Sequence, residues 1–130
     1  MSKVIVRIIT MILVINCVCI SVSAAIVKPI MPLWDNTDMV YCNITFNGTN
    51  GRVICDITAV SGTTSIEGTL TLYEDGEEID SWDIDVNTSY VNIVETFTGT
   101  RGSTYELVLD VEVMANGVAE ALEHSVDKKC

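Results

Sequence analysis

The sequence predicts an all-β domain, a two-layer antiparallel sandwich of about seven short strands, preceded by an N-terminal signal helix. Three observations carry this. No long stretch beyond residue 25 repeats its apolar residues every 3.6 positions. Seven stretches instead alternate apolar and polar residues, the period that separates the two faces of a strand. Turn-forming residues, rich in Gly, Asn, Asp and Ser, divide them at short intervals. Seven half-apolar strands need a second layer to cover them, and a small closed barrel is the alternative.

Residues 1–25 have the three parts of a secretory signal: Lys3 and Arg7, an apolar run over 8–20, and small residues over 21–25. Cleavage after Ala24 and after Ala25 both satisfy the small-residue rule. Cys17 and Cys19 fall inside this segment, and Ile15-Asn16 and Val18 before them do not suit lipid attachment. Removing the signal removes two of the seven basic residues and none of the eighteen acidic ones, taking the formal charge from −11 to −13. A chain so acidic is a poor partner for nucleic acid or for an anionic membrane, so neither is expected once the signal is cleaved. The expected location is extracellular. Residues 26–37, with Pro29 and Pro32, read as an irregular lead-in. Residues 38–127 read as the domain and 128–130 as a polar tail.

The first two strands, 40–46 and 51–57, form a hairpin around Gly48-Thr49. That register sets Phe46 opposite Gly51, Ile44 opposite Val53, Cys42 opposite Cys55 and Val40 opposite Ile57, all on the inward face. A third strand runs over 65–73 and turns at Asp75-Gly76, which suits a type I′ hairpin. Across that turn Ile79 should be inward, yet Trp82, Ile84 and Val86 have the opposite parity. One inserted residue near Asp80-Ser81, a β-bulge, reconciles them. The fifth strand, 90–97, carries an awkward inward Glu95. The sixth, 104–113, alternates most cleanly. The seventh, 118–126, mixes Val118, Leu122 and Val126 with Glu120 and His124 on one parity.

Gly102-Ser103-Thr104-Tyr105-Glu106-Leu107 resembles the penultimate strand of immunoglobulin-like domains, where a tyrosine near the strand start caps a corner with its hydroxyl. With Cys42, Cys55, Trp82 and the 68–76 stretch, the pattern over 42–113 resembles small secreted immunoglobulin-like proteins of Gram-positive bacteria. The resemblance implies the sandwich fold and brings no catalytic or ligand-binding residues. The inter-sheet bridge of antibody domains is not expected, because Cys42 and Cys55 are too close in sequence and Trp82 follows both.

Counted from Asn47:Asn50 as the bonded closing pair, Cys42:Cys55 is a non-hydrogen-bonded pair. Its Cα atoms should stand ~4.5 Å apart, within the range a disulfide spans. Cys42–Cys55 is therefore the expected structural bridge, which leaves Cys130 as a free thiol or as an intermolecular bridge in a homodimer. Asp75, Asp83 and Asp85 are weak Ca²⁺ candidates. The echo of an EF-hand loop fails, because Thr88 stands where the glycine belongs and Val94 where the bidentate Glu belongs. One histidine, His124, does not make a zinc site, and no nucleophile elbow is present, so no catalytic residues and no cofactor are expected. Tyr41, Tyr73 and Tyr90 have outward parity, which suits stacking on a protein or carbohydrate partner or plain cross-strand pairing. The functional expectation is a secreted, non-catalytic binding module. A structural or envelope-associated protein is the alternative.

Overall fold

A computed structural model describes residues 34–130. The expected signal segment and all but the end of the lead-in lie outside the described residues. The strands are β1 (Thr37–Asn47), β2 (Asn50–Ala59), β3 (Thr63–Glu74), β4 (Glu77–Val86), β5 (Tyr90–Thr98), β6 (Thr104–Ala115) and β7 (Val118–Lys129). They form two antiparallel sheets, ordered β1-β2-β5 and β4-β3-β6-β7, which is the expected seven-stranded antiparallel β-sandwich. β4 belongs with β3 because a two-residue turn leaves a strand no room to cross to the other layer. Asp75 and Gly76 both take positive φ (48° and 85°), as do Asn116 and Gly117 (52° and 77°) between β6 and β7. That is the requirement of type I′ hairpins.

The β1–β2 register is the one the alternation predicts. Cys42 pairs with Cys55, Ile44 with Val53, Val40 with Ile57 and Phe46 with Gly51. The bulge in β4 is also present, one residue earlier than Asp80-Ser81. Leu72 pairs with Asp80 and Tyr73 with Glu78, which leaves Ile79 as the extra residue. Ile79 is turned out and 42% exposed, while Ile84 regains the core. Asp80 now has the inward parity of an edge strand, a device that discourages further strand pairing. Glu95 likewise lies on an edge strand, β5, and is exposed.

The core is the meeting of the two inner faces. Ile44, Val53 and Ile57 from one sheet face Leu70, Leu72, Leu107, Leu109 and Val113 from the other, all buried. Each such side chain contributes roughly 1.5–3 kcal/mol by leaving water. Gly68 sits in central strand β3 with φ 153°, opposite Val111. β6 lies so near that a Cβ there would come within 2.6 Å of the Val111 Cα. A glycine is therefore required at this point of the ladder.

At one pole Phe46, Phe97 and Tyr105 form a ring cluster with centroids 5.1–5.5 Å apart. The buried Tyr105 hydroxyl accepts from Thr100 N (2.7 Å) and donates to Glu74 Oε1 (2.8 Å). This is the tyrosine corner that the Tyr105 strand resembled. The hydrogen bonds from Tyr105 and then from Ser103 and Thr100 hold the Glu74 carboxyl below the usual carboxylate range. Burial, with Glu74 close by, pushes the Tyr105 phenol up.

The chain end is more ordered than a polar tail. β7 continues through Lys128 and Lys129, which pair with Tyr105 and Thr104. Cys130 N donates to Ser103 O (3.0 Å), and Gly102 N donates to Cys130 O (3.2 Å). At the other pole Glu120 explains its inward parity. Its carboxylate accepts from Asp35 N, Asn36 N and Thr37 Oγ1 and ties the residues before β1 to β7. Asn36 Nδ2 completes the tie by donating to Val113 O and Val118 O.

Candidate functional site

The two outer sheet faces differ in chemistry. On the larger sheet, outward carboxylates stand opposite one another across the strands. Glu67 faces both Asp85 and Glu112, Asp110 faces Glu123, and Glu106 faces Asp127. Like charges in direct opposition destabilise a sheet, by up to ~1 kcal/mol per pair. A shallow hollow of about 390 Å³ lies on this face between Asp110 and Glu123.

The Ca²⁺ candidates are not gathered there. Asp75 is committed to the β3–β4 turn, where its Oδ1 accepts from Thr104 N (2.9 Å). Asp83 and Asp85 share the outward face of edge strand β4, opposite Thr69 and Glu67. Among the described residues, no three His, Cys, Asp or Glu side chains come together as a metal-holding group. His124 is half-buried on edge strand β7, opposite Leu109.

The smaller sheet presents a mixed face of aromatic, amide and hydroxyl groups. Across β1, β2 and β5 its rows read Met39-Thr58-Tyr90, Tyr41-Asp56-Asn92, Asn43-Ile54-Val94, Thr45-Arg52-Thr96 and Asn47-Asn50-Thr98. Tyr41 and Tyr90 are 47% and 53% exposed. They stand on strands to either side of β2, two strand spacings apart and offset by two residues, about 12 Å, with Asp56 in the row of Tyr41 and bonded to Tyr90. Asp56 Oδ1 accepts from Tyr90 Oη (3.4 Å) and from Asn92 Nδ2, and Asn43 Nδ2 donates to Tyr41 Oη (3.0 Å). These bonds hold the polar groups in place while the tyrosines stay open to solvent. Tyr73 is on the other sheet and does not join them.

At the hairpin end the same face dips into an open groove of about 580 Å³. Phe46, Gly51 and Phe97 lie beneath it, and Thr45, Arg52 and Thr96 line it. Gly51 faces inward, and the Phe97 ring packs against it so closely that a Cβ there would come within 2.6 Å of that ring.

Cys42 and Cys55 are buried directly opposite each other and stand as separate thiols. A hydrogen bond with Cys42, reinforced by burial, pushes the Cys55 thiol far up. Cys130 is half-buried, and its Sγ donates to Gly48 O (3.7 Å) at the β1–β2 turn.

Sequence reasoning found the tyrosines by parity but not the groove or Arg52. A polar residue outward on a strand is ordinary, and the groove is lined from β1, β2 and β5, the last of them distant in the chain.

No family model matches this chain, and no curated protein matches it. Two solved structures share part of its shape. One is the apo structure of Bacteroides uniformis β-glucuronidase 3, at 16% identity and a TM-score of 0.47, covering 68% of this chain and 12% of that one. The other is catalytically inactive OgpA from Akkermansia muciniphila, in complex with an O-glycopeptide (glycodrosocin) substrate. It is 10% identical with a TM-score of 0.36, covering 80% of this chain and 34% of that one. The chain thus corresponds to a minor part of either structure.

Proposed function

We propose that this protein is a secreted, non-catalytic, immunoglobulin-like binding module that engages an extracellular partner through the outer face of the β1-β2-β5 sheet. The observation that carries this reading is the arrangement of Tyr41 and Tyr90 around Asp56: two exposed aromatic surfaces held apart over a hydrogen-bonded polar centre. Rigid amphipathic rings beside fixed polar groups are the composition of adhesive surfaces, because they offer contact area at small entropic cost. The opposed carboxylates make the other face a poorer candidate for an apolar or neutral partner.

Export fits the paired cysteines. In an oxidising compartment Cys42 and Cys55 form the structural disulfide of the hairpin. Cys130 has a half-buried thiol and both backbone groups engaged, which favours a monomer over a Cys130-linked dimer.

The test is a Tyr41→Ala/Tyr90→Ala variant with an unchanged melting temperature. Its retention on an immobilised fraction of cell-surface polysaccharide and glycoprotein is compared with that of the unaltered protein. Loss of retention in the variant is expected. Equal retention of the two proteins, at any level, removes this face as the binding surface.

A further inference from the structure

All four cations among the described residues gather at one pole of a domain that carries eighteen carboxylates. Arg52 lies on the smaller sheet, one cross-strand row from the β1–β2 turn. The Gly48 carbonyl of that turn meets the Cys130 sulfur, and Lys128 and Lys129 immediately precede Cys130. The loop holding Arg101 is bound to the same corner, through Gly102 N to Cys130 O (3.2 Å) and Gly99 N to Thr49 O (2.7 Å). In sequence these cations are up to 77 positions apart. Of the β3–β4 turn carboxylates, Glu77 and Glu78 lie on the β4 edge, three strand spacings or about 14 Å from β7, while Glu74 and Asp75 bond to Tyr105 and Thr104, the partners of Lys128 and Lys129. Carboxylates therefore stand among the lysines of the larger sheet, whereas the outward row of Arg52 on the smaller sheet and the outward rows to either side of it hold none.

Arg52 is the cation that lines the groove, with the hydroxyls of Thr45 and Thr96 to either side in the same row and Asn47 and Asn50 in the next. Hydroxyls and amides both donate and accept, as the hydroxyls of a sugar do. A guanidinium adds a planar fork matched to a carboxylate. Along β2, Arg52 and Asp56 are four residues apart, so the groove and the tyrosine pair are separated by about 13 Å. That distance exceeds one sugar ring and suits a short chain of them.

We infer that the partner is a carboxylated oligosaccharide, with one acidic sugar seated on Arg52 in the groove and further rings running toward Tyr41 and Tyr90. This rests on the reading of the smaller sheet's outer face as the binding surface. With no carboxylate in the outward rows around Arg52, an anion there meets less repulsion than on the outer face of the larger sheet. Nucleic acid is a weaker fit, because its regular phosphates demand more cations than one corner supplies.

The test measures affinity for uronic-acid and sialic-acid oligosaccharides, among them tetragalacturonate, and for the same compounds with their carboxyls methyl-esterified. The proteins are the unaltered domain, Arg52→Gln, Arg52→Lys and the double tyrosine variant. Arg52 is exposed, so its variants should melt with the unaltered protein. The expected result is binding of a carboxylated member and not of its ester, weakened about tenfold or more in Arg52→Gln, less in Arg52→Lys, and by added salt. Equal binding of acid and ester, lost only in the tyrosine variant, overturns the inference and leaves the binding face standing. Binding of no carbohydrate overturns it as well, and the retention experiment then decides the face on its own.

Discussion

Replacing Gly68 with alanine should be the most damaging single-methyl change in the domain. The added Cβ would lie 2.6 Å from the Val111 Cα and closer still to the Asp110 carbonyl oxygen, where ordinary contact begins at 3.4 Å. β3 and β6 must therefore separate locally by about 0.8 Å or more. β3 is held on its other side by β4, so it cannot retreat without disturbing the Gly68–Ile84 pairing. Overpacking of this kind costs about 1–3 kcal/mol. An alanine forced to φ 153° adds roughly another 1–3 kcal/mol of backbone strain. The sum, about 2–5 kcal/mol, is a large part of the 5–15 kcal/mol that typically holds such a domain together. At ~4–8 °C per kcal/mol for this chain length, the melting temperature should fall by at least about 8 °C. Gly117→Ala is the control. Its φ is also positive, at 77°, but nothing lies within 4 Å of the new Cβ, so only the backbone cost of about 1 kcal/mol applies. Thermal unfolding of both variants by circular dichroism separates steric from conformational cost. If Gly68→Ala melts as high as Gly117→Ala, the close approach of β3 to β6 is refuted.

Three further outcomes are expected. Protein secreted into an oxidising medium should carry the Cys42–Cys55 disulfide, seen as two thiols protected from alkylation; reducing it should cost roughly 3 kcal/mol in the chain-entropy model, and an unchanged melt after reduction argues against a structural bridge. The depressed Glu74 carboxyl should give acid-side stability that is complete above the ordinary carboxylate pKa and is lost as pH falls through its lower folded value, while the raised Tyr105 phenol should make stability fall as pH rises beyond its ordinary value near 10. Glu74→Gln should flatten the acid limb of a melting-temperature profile between about pH 5 and 2, and Tyr105→Phe should flatten both limbs; parallel profiles contradict the assignment. Glu120→Ala should release Asp35 and Asn36 and raise hydrogen exchange at their amides at least about tenfold, while the β3 and β6 amides stay protected; unchanged exchange at Asp35 and Asn36 removes the clamp from the fold.

Much of the fold was legible because it is written in local terms. The Cys42:Cys55 register follows from strand alternation and a two-residue turn. The Asp75-Gly76 turn follows from the residues that tolerate positive φ. The bulge in β4 was required by a clash of parity, and its displacement to Ile79 is a one-residue matter that local pattern does not resolve. Tyr105 was readable because a tyrosine at the start of so regular a strand has a known hydrogen-bonding use. The two tyrosines of the binding face were readable only as outward residues. That Tyr41 and Tyr90 flank Asp56, and that Tyr73 does not join them, depends on which sheet each strand enters.

The sequence by itself determined the class of the domain, the β1–β2 register and the inward face of every strand except where β4 bulges, because alternation and turn chemistry act over a few residues. Only the tertiary structure decided what meets at the poles. It showed Glu120 accepting from the chain before β1 and Cys130 pinned rather than frayed. It also showed the groove across β1, β2 and β5 and the convergence of Arg52, Arg101, Lys128 and Lys129 on one pole. Those are products of sheet order and of loops closing on one another across many tens of residues. No local pattern carries that information, because the contacts exist only once both layers have packed.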